Sequence, residues 1–183
     1  MRIIGGQFRG KKILPVLSEH TRPTADRTRE MVFNILSHNP ALGPQTIVDK
    51  RVLDVCAGTG AMGLEALSRG AKSATFAENN PESLKILKKN VEGFGADVIA
   101  QDARHLGQAP HPFDLIFLDP PYGQDLVSPI LSRLFSEGWL TPQAVVVIEV
   151  EKKESVTLPP FLSVLTERSS GRAKLIFARV QEF

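Results

Sequence analysis

At 183 residues, 42% apolar and 23% charged, the chain has the size and composition of one globular domain with its own core, and no apolar run is long enough to cross a bilayer. Its single cysteine, Cys56, excludes an internal disulfide, and the opening Met1-Arg2-Ile3-Ile4-Gly5-Gly6 lacks the apolar core of a signal peptide, so a cytoplasmic protein is expected. The net charge of +2 is unevenly spread: residues 1–30 hold seven bases against three acids, which leaves the rest of the chain net negative.

The chain reads as a single domain over residues 1–183. Residues 1–22 form a basic N-terminal arm, with Arg2, Arg9, Lys11 and Lys12 among the first twelve residues and no acid beside them. Such an arm is an electrostatic footprint for phosphate, with Arg22 a further candidate for RNA contact; charge alone leaves open a solvated terminus with no partner. Residues 23–50 read as a helix and a loop. Pro23-Thr24-Ala25-Asp26 opens the helix, Met31, Val32, Ile35 and Leu36 recur at helical spacing, and Asn39-Pro40 ends it. From there strands (51–55, 73–77, 97–100, 113–118, 144–150) alternate with helices (61–69, 81–91, 125–135). Two final strands, 161–166 and 173–180, have no helix-length connection and predict an antiparallel hairpin closed at Ser169-Ser170-Gly171. The alternation predicts a three-layer α/β sandwich on a mostly parallel sheet.

Between the first strand and its helix, Gly58, Gly60 and Gly63 match the nucleotide fingerprint G-x-G-x-x-G, and Glu78 ends the second strand twenty residues after Gly58. Asp54, at the end of the first strand, decides the ligand class. A dinucleotide would set its pyrophosphate on this loop, and a carboxylate there would repel it. S-adenosylmethionine carries no phosphate but an ammonium and a sulfonium, which Asp54 would attract. Glu78 can accept bonds from ribose hydroxyls, and Asp102, after the third strand, can accept one from the adenine amine. The expected cofactor-binding set is Asp54, Ala57, Gly58, Thr59, Gly60 and Gly63, then Glu78 and Asn79, then Asp102 and Ala103.

The buried run Phe113-Asp114-Leu115-Ile116-Phe117-Leu118 stops in Asp119-Pro120-Pro121-Tyr122. An acid, a backbone carbonyl of fixed direction and a flat ring at one strand terminus suit a planar group bearing an NH2. In such a sheet the fourth strand leaves beside the first, where ligands bind. The aromatic amine is a poor nucleophile because its lone pair is delocalised. Asp119 and the Pro120 carbonyl would accept its hydrogens and aim the nitrogen at the methyl group, Asp119 or solvent would take the proton, and Tyr122 would stack on a base swung out of its helix or loop. His20, His38, His105 and His111 show no metal-ligand spacing, so no metal is expected; Cys56 and Trp139 read as packing residues.

The blocks Arg2-Ile3-Ile4-Gly5-Gly6, Thr21-Arg22-Pro23-Thr24, Phe33-Asn34-Ile35-Leu36, Ala57-Gly58-Thr59-Gly60, Gly63-Leu64-Glu65-Ala66-Leu67-Ser68-Arg69-Gly70-Ala71 and Phe117-Leu118-Asp119-Pro120-Pro121-Tyr122 together resemble the RsmD family of class I methyltransferases. These are bacterial enzymes that methylate guanine N2 in small-subunit ribosomal RNA. The resemblance implies a Rossmann-like sheet of order 3-2-1-4-5-7-6, S-adenosylmethionine as cofactor, and as partner the 16S rRNA of an assembled or partly assembled small subunit; a monomer is expected. Two departures stand out: Cys56 replaces a common phenylalanine, and Asn79-Asn80 follows Glu78 where aspartate is usual. Alternative acceptors are a glutamine side-chain amide or adenine N6 in DNA. The former's enzymes typically carry asparagine at the position of Asp119, and the latter's typically carry a further domain. A third alternative is a non-catalytic RNA-binding assembly factor on the same scaffold.

Overall fold

The computed structural model describes residues 1–16, 23–43 and 45–181. Helix α1 spans Pro23–His38, with Asp26 in its first turn, and Asn39 caps a one-turn 3-10 helix at Pro40–Leu42 within the expected loop. The alternating core follows as β1 (Arg51–Val55), α2 (Ala61–Ser68), β2 (Ser73–Glu78), α3 (Pro81–Asn90), β3 (Asp97–Ala100), β4 (Phe113–Leu118), α4 (Val127–Ser136) and β5 (Leu140–Glu151). The hairpin of β6 (Leu162–Ser170) and β7 (Ala173–Val180) closes the chain. The seven strands form one sheet of order β3-β2-β1-β4-β5-β7-β6, parallel through β5, with β7 antiparallel to both its neighbours.

Alternate strand residues feed two cores. Val52, Phe76, Leu115, Phe117, Val145 and Phe177 pack under residues of α1, α2 and α3, including Val32, Phe33, Leu64 and Leu87. Leu53, Ile116, Leu118, Val146, Ile148 and Ile176 pack on the other side with Val127, Ile130, Leu131 and Leu134 of α4. Strands buried on both faces read as continuous apolar runs, which is why β1 and β4 are conspicuous in sequence. Trp139 is core as expected: its ring stacks on Phe113 with centroids 5.6 Å apart, and its indole N–H donates to the Gly107 carbonyl at 2.8 Å.

Three boundaries differ from expectation by two residues or more, each for a local reason. β5 begins at Leu140 because an irregularity, with Gln143 at φ 68°, lets Thr141-Pro142-Gln143 stay in the strand while the register steps from Phe113↔Leu140 to Leu115↔Val145. Helix α4 starts at Val127 because Asp125 has a φ of 51°, outside the helical region. β6 runs on to Ser170 because it is an edge strand whose polar second half needs no burial.

Over the described residues the basic arm is a docked hairpin. Ile3 donates to Lys11, Gly10 to Ile3 and Ile13 to Met1, at 2.9–3.0 Å, with Ile3 and Ile13 buried. Glu65 of α2, fully buried, receives the amides of Ile4 and Gly5 at 2.9 and 2.8 Å and the Arg69 guanidinium at 2.8 Å; Arg29 of α1 lies 3.5 Å away. A buried carboxylate is tolerated only with this degree of satisfaction.

Candidate active site

Residues 56–60 turn the chain from β1 into α2, with Cys56, Gly58 and Gly60 at φ of 59°, 55° and 80°. The glycines divide the work. A Cβ on Gly60 would lie 2.6 Å from Leu87, and one on Gly63 2.4 Å from the Phe76 ring, so these two let α2 settle on β2 and α3. Gly58 faces open space. Its amide donates to Glu78 Oε2 at 2.7 Å, while Glu78 Oε1 accepts from Asn79 and Asn80 at 2.9 and 2.8 Å. A carboxylate offers about four acceptor positions, so Oε2 keeps one for a hydroxyl. Within the loop, Ala57 donates to Ala77 at 3.1 Å and Gly60 to Ala57 at 2.8 Å.

Asp54 lies beneath this loop rather than in the open. It is 3% exposed and accepts the Gly63 amide at 2.9 Å, and burial pushes its pKa up to about 7. It therefore anchors the start of α2 from below. Asn90, which the sequence reading missed, performs a similar service from the side. Its side-chain amide donates to Thr59 and Leu14 carbonyls at 2.9 and 3.0 Å and accepts from the Leu14 amide at 2.8 Å, tying the glycine loop to the N-terminal segment. A polar residue at the end of an otherwise amphipathic helix was the available signal.

A cavity of about 180 Å³ opens past the ends of β2 and β3, lined by Glu78, Asn79, Asp102 and Ala103 of the expected set, with Cys56, Gln101, Arg104, Pro121, Gln124, Leu126 and Ile130. Asp102 is not a free acceptor: it caps the turn after β3 through the Arg104 amide at 2.9 Å and grips the Arg104 guanidinium at 2.6 Å, which holds its pKa down to about 2. An adenine amine would share this carboxylate with Arg104. Burial, with Glu78 and Asp119 nearby, pushes the Cys56 thiol up to about 12, so it stays neutral and packs. Two acids across an apolar wall of Ala77, Ala103, Leu126 and Ile130 fit an adenosyl group, and this donor set offers no cradle for pyrophosphate.

Beyond Pro121, the end of β4 forms the second half of the site. The Asp119 amide reaches the Val55 carbonyl at 3.4 Å, so Asp119 leaves the sheet beside the glycine loop. Pro120 is buried, while Asp119, Pro121 and Tyr122 are exposed at the cleft. The surrounding walls, then the charges of Glu149 and Asp54, raise the Asp119 pKa well above the usual carboxylate range. The Tyr122 hydroxyl donates to Glu149 Oε1 at 2.9 Å. Glu149 of β5 was missed in the sequence, although an acid near the end of an apolar strand is the same signal that marks Asp54 and Asp119.

Arg9, Lys11 and Lys12 are exposed on the hairpin, and Lys11 Nζ sits 3.9 Å from the Phe94 ring centroid. Arg2, also exposed, donates to the Gly10 carbonyl at 2.8 Å. Arg22 lies outside the described residues. Among the described residues no cluster of His, Cys, Asp and Glu could hold a metal ion, and no helix is long and apolar enough to cross a membrane.

The profile of a family described as conserved hypothetical protein 95 matches residues 1–179. Ribosomal RNA small subunit methyltransferase D of Haemophilus influenzae is 39% identical over 181 residues, covering 93% of this chain and 89% of its own. Its counterpart from Escherichia coli K12 is 37% identical over 177 residues, covering 94% and 86%. The chain belongs to the RsmD family. The solved structure of yhhF from Escherichia coli agrees, with a TM-score of 0.84 at 36% identity over 100% of this chain and 99% of that one. Membership bears out the resemblance carried by the N-terminal and Gly63–Ala71 blocks, and the fold is that of the class I methyltransferases. Those two RsmD blocks meet in space: Glu65, Ser68 and Arg69 of one are the dock for Ile4, Gly5 and Gly6 of the other.

Proposed function

We propose that this protein methylates the exocyclic N2 amine of a guanine in the 16S rRNA of the small ribosomal subunit, in the bacterial cytoplasm and as a monomer. One observation carries the reading: Asp119-Pro120-Pro121-Tyr122 leaves β4 hydrogen-bonded to β1, directly beside the glycine loop and the acid-flanked cavity. Relatives at 37–39% identity are named ribosomal RNA small subunit methyltransferase D, which supports ribosomal RNA as the substrate.

S-adenosylmethionine, when bound, supplies an electrophilic methyl group on a cationic sulfur. Glu78 would hold the ribose through its remaining acceptor position, Asp102 and Ala103 would border the adenine, and Asp54, which fixes the loop from below, would favour a cationic ligand above when charged. Asp119 and the Pro120 carbonyl accept the two amine hydrogens, which turns the nitrogen lone pair out of conjugation and toward the methyl carbon. As the N–C bond formed, the S–CH3 bond would break with its electron pair staying on the sulfur, leaving a neutral thioether, and the surplus proton on the nitrogen would pass to Asp119 beside it. Tyr122 stacks on the base, and Arg9, Lys11 and Lys12 contact phosphates of the RNA.

The test is Asp119→Ala, assayed with unmodified small subunits and by cofactor titration. Turnover is expected to vanish while cofactor affinity holds; retained turnover would remove Asp119 from this role.

A further inference from the structure

Resting on the guanine-N2 reading, we propose that Glu149 selects guanine: its carboxylate accepts the N1–H of the base whose N2 amine is held at Asp119. On β4 and β5 the register pairs Leu118 with Ile148, so Asp119 and Glu149 are the next residues along on neighbouring strands. Guanine presents its N2 amine and its N1–H side by side on one edge. An amine seated at Asp119 therefore carries N1–H to the acceptor beside it. Adenine, with its N6 amine in the same place, would present N1 as an acceptor, and a carboxylate facing it would repel. A glutamine amide has no such second donor.

Two features prepare Glu149 for this contact. The Tyr122 hydroxyl holds Oε1 at 2.9 Å, which orients the carboxylate and couples it to the ring that stacks on the base, and among the described residues no second hydrogen bond occupies Oε2. Among the described residues no cation pairs with Glu149: Arg172 pairs with Glu151 at 3.4 Å, two positions further on, and the groups facing Glu149 are Asp119 and Tyr122. A half-buried carboxylate beside a second one is poorly compensated until donors arrive between them. The guanine edge brings donors to both at once.

Glu149→Leu removes every acceptor, Tyr122→Phe removes only the hydroxyl contact, and Glu149→Gln restores one acceptor oxygen. With unmodified small subunits, Glu149→Leu is expected to lower kcat/KM by at least about tenfold more than Tyr122→Phe, the size of one specific base contact. Glu149→Gln should fall between Glu149→Leu and the unsubstituted protein, and cofactor affinity should hold in all three. Equal losses in Glu149→Leu and Tyr122→Phe would overturn the proposal, since Glu149 would then act only through the tyrosine. N2-methylguanosine formed at the normal rate by Glu149→Leu would sink it while leaving the proposed function intact. Another methylated nucleoside from the unsubstituted protein would overturn both.

Discussion

Asp54 illustrates how a single buried carboxylate makes stability depend on pH. It is 3% exposed, receives one amide hydrogen bond, and its pKa is raised by burial to about 7, against the charge-stabilising effect of the Gly63 amide. The folded state therefore binds a proton that the unfolded chain has released. Its contribution is fully present below about pH 4 and is lost as pH rises through about 7. Asp54→Asn keeps an oxygen for the Gly63 amide and carries no charge. Thermal unfolding of that variant should be flatter across this window, and at alkaline pH it should exceed the unsubstituted protein by on the order of a few kcal/mol. A variant whose melting curve tracks the unsubstituted protein at every pH would contradict the argument. The acid itself was legible in the sequence as the end of a buried strand. Its position under the loop was not, because that depends on how α2 closes over it through Gly63.

At the scale of elements, the N-terminal hairpin shows where sequence reading stops. Gly5 and Gly6 stand out only as a pair of glycines. In the fold, Gly6 has a φ of 76°, and a Cβ there would lie 1.8 Å from the Ser68 carbonyl oxygen, so the turn presses backbone to backbone against the end of α2. Contacts between residues some sixty positions apart leave no local periodicity, and a run of bases reads as an arm whether it is docked or free. Docking holds Arg9, Lys11 and Lys12 exposed on one hairpin. Reversing all three charges is expected to weaken binding to small subunits and lower the slope of log affinity against log salt by up to about 3, leaving cofactor affinity alone. Unchanged subunit affinity would remove the hairpin from the interface. The β5 irregularity at Gln143 teaches a similar lesson: the predicted strand began late, at Ala144, because a bulge cannot be seen from composition.

For the whole molecule, the order β3-β2-β1-β4-β5-β7-β6 brings the ends of β1, β2 and β4 together, with Glu78 and Asp102 lining the cavity, Asp119 exposed beside it and Asp54 buried beneath the loop. That convergence was readable because each acid follows an apolar run. Glu149 escaped notice because β5 is valine-rich and buried on both faces, so alternation does not reveal which side chains turn toward the cleft. Arg104 escaped because its partner Asp102 was read as a free acceptor. Cofactor, acceptor and target meet in one reaction, and one measurement bears on all three. Small ribosomal subunits lacking this modification are incubated with the protein and methyl-labelled S-adenosylmethionine, and the RNA is digested to nucleosides. Label in N2-methylguanosine is the predicted result; label in any other nucleoside, or none with the cofactor bound, would contradict it.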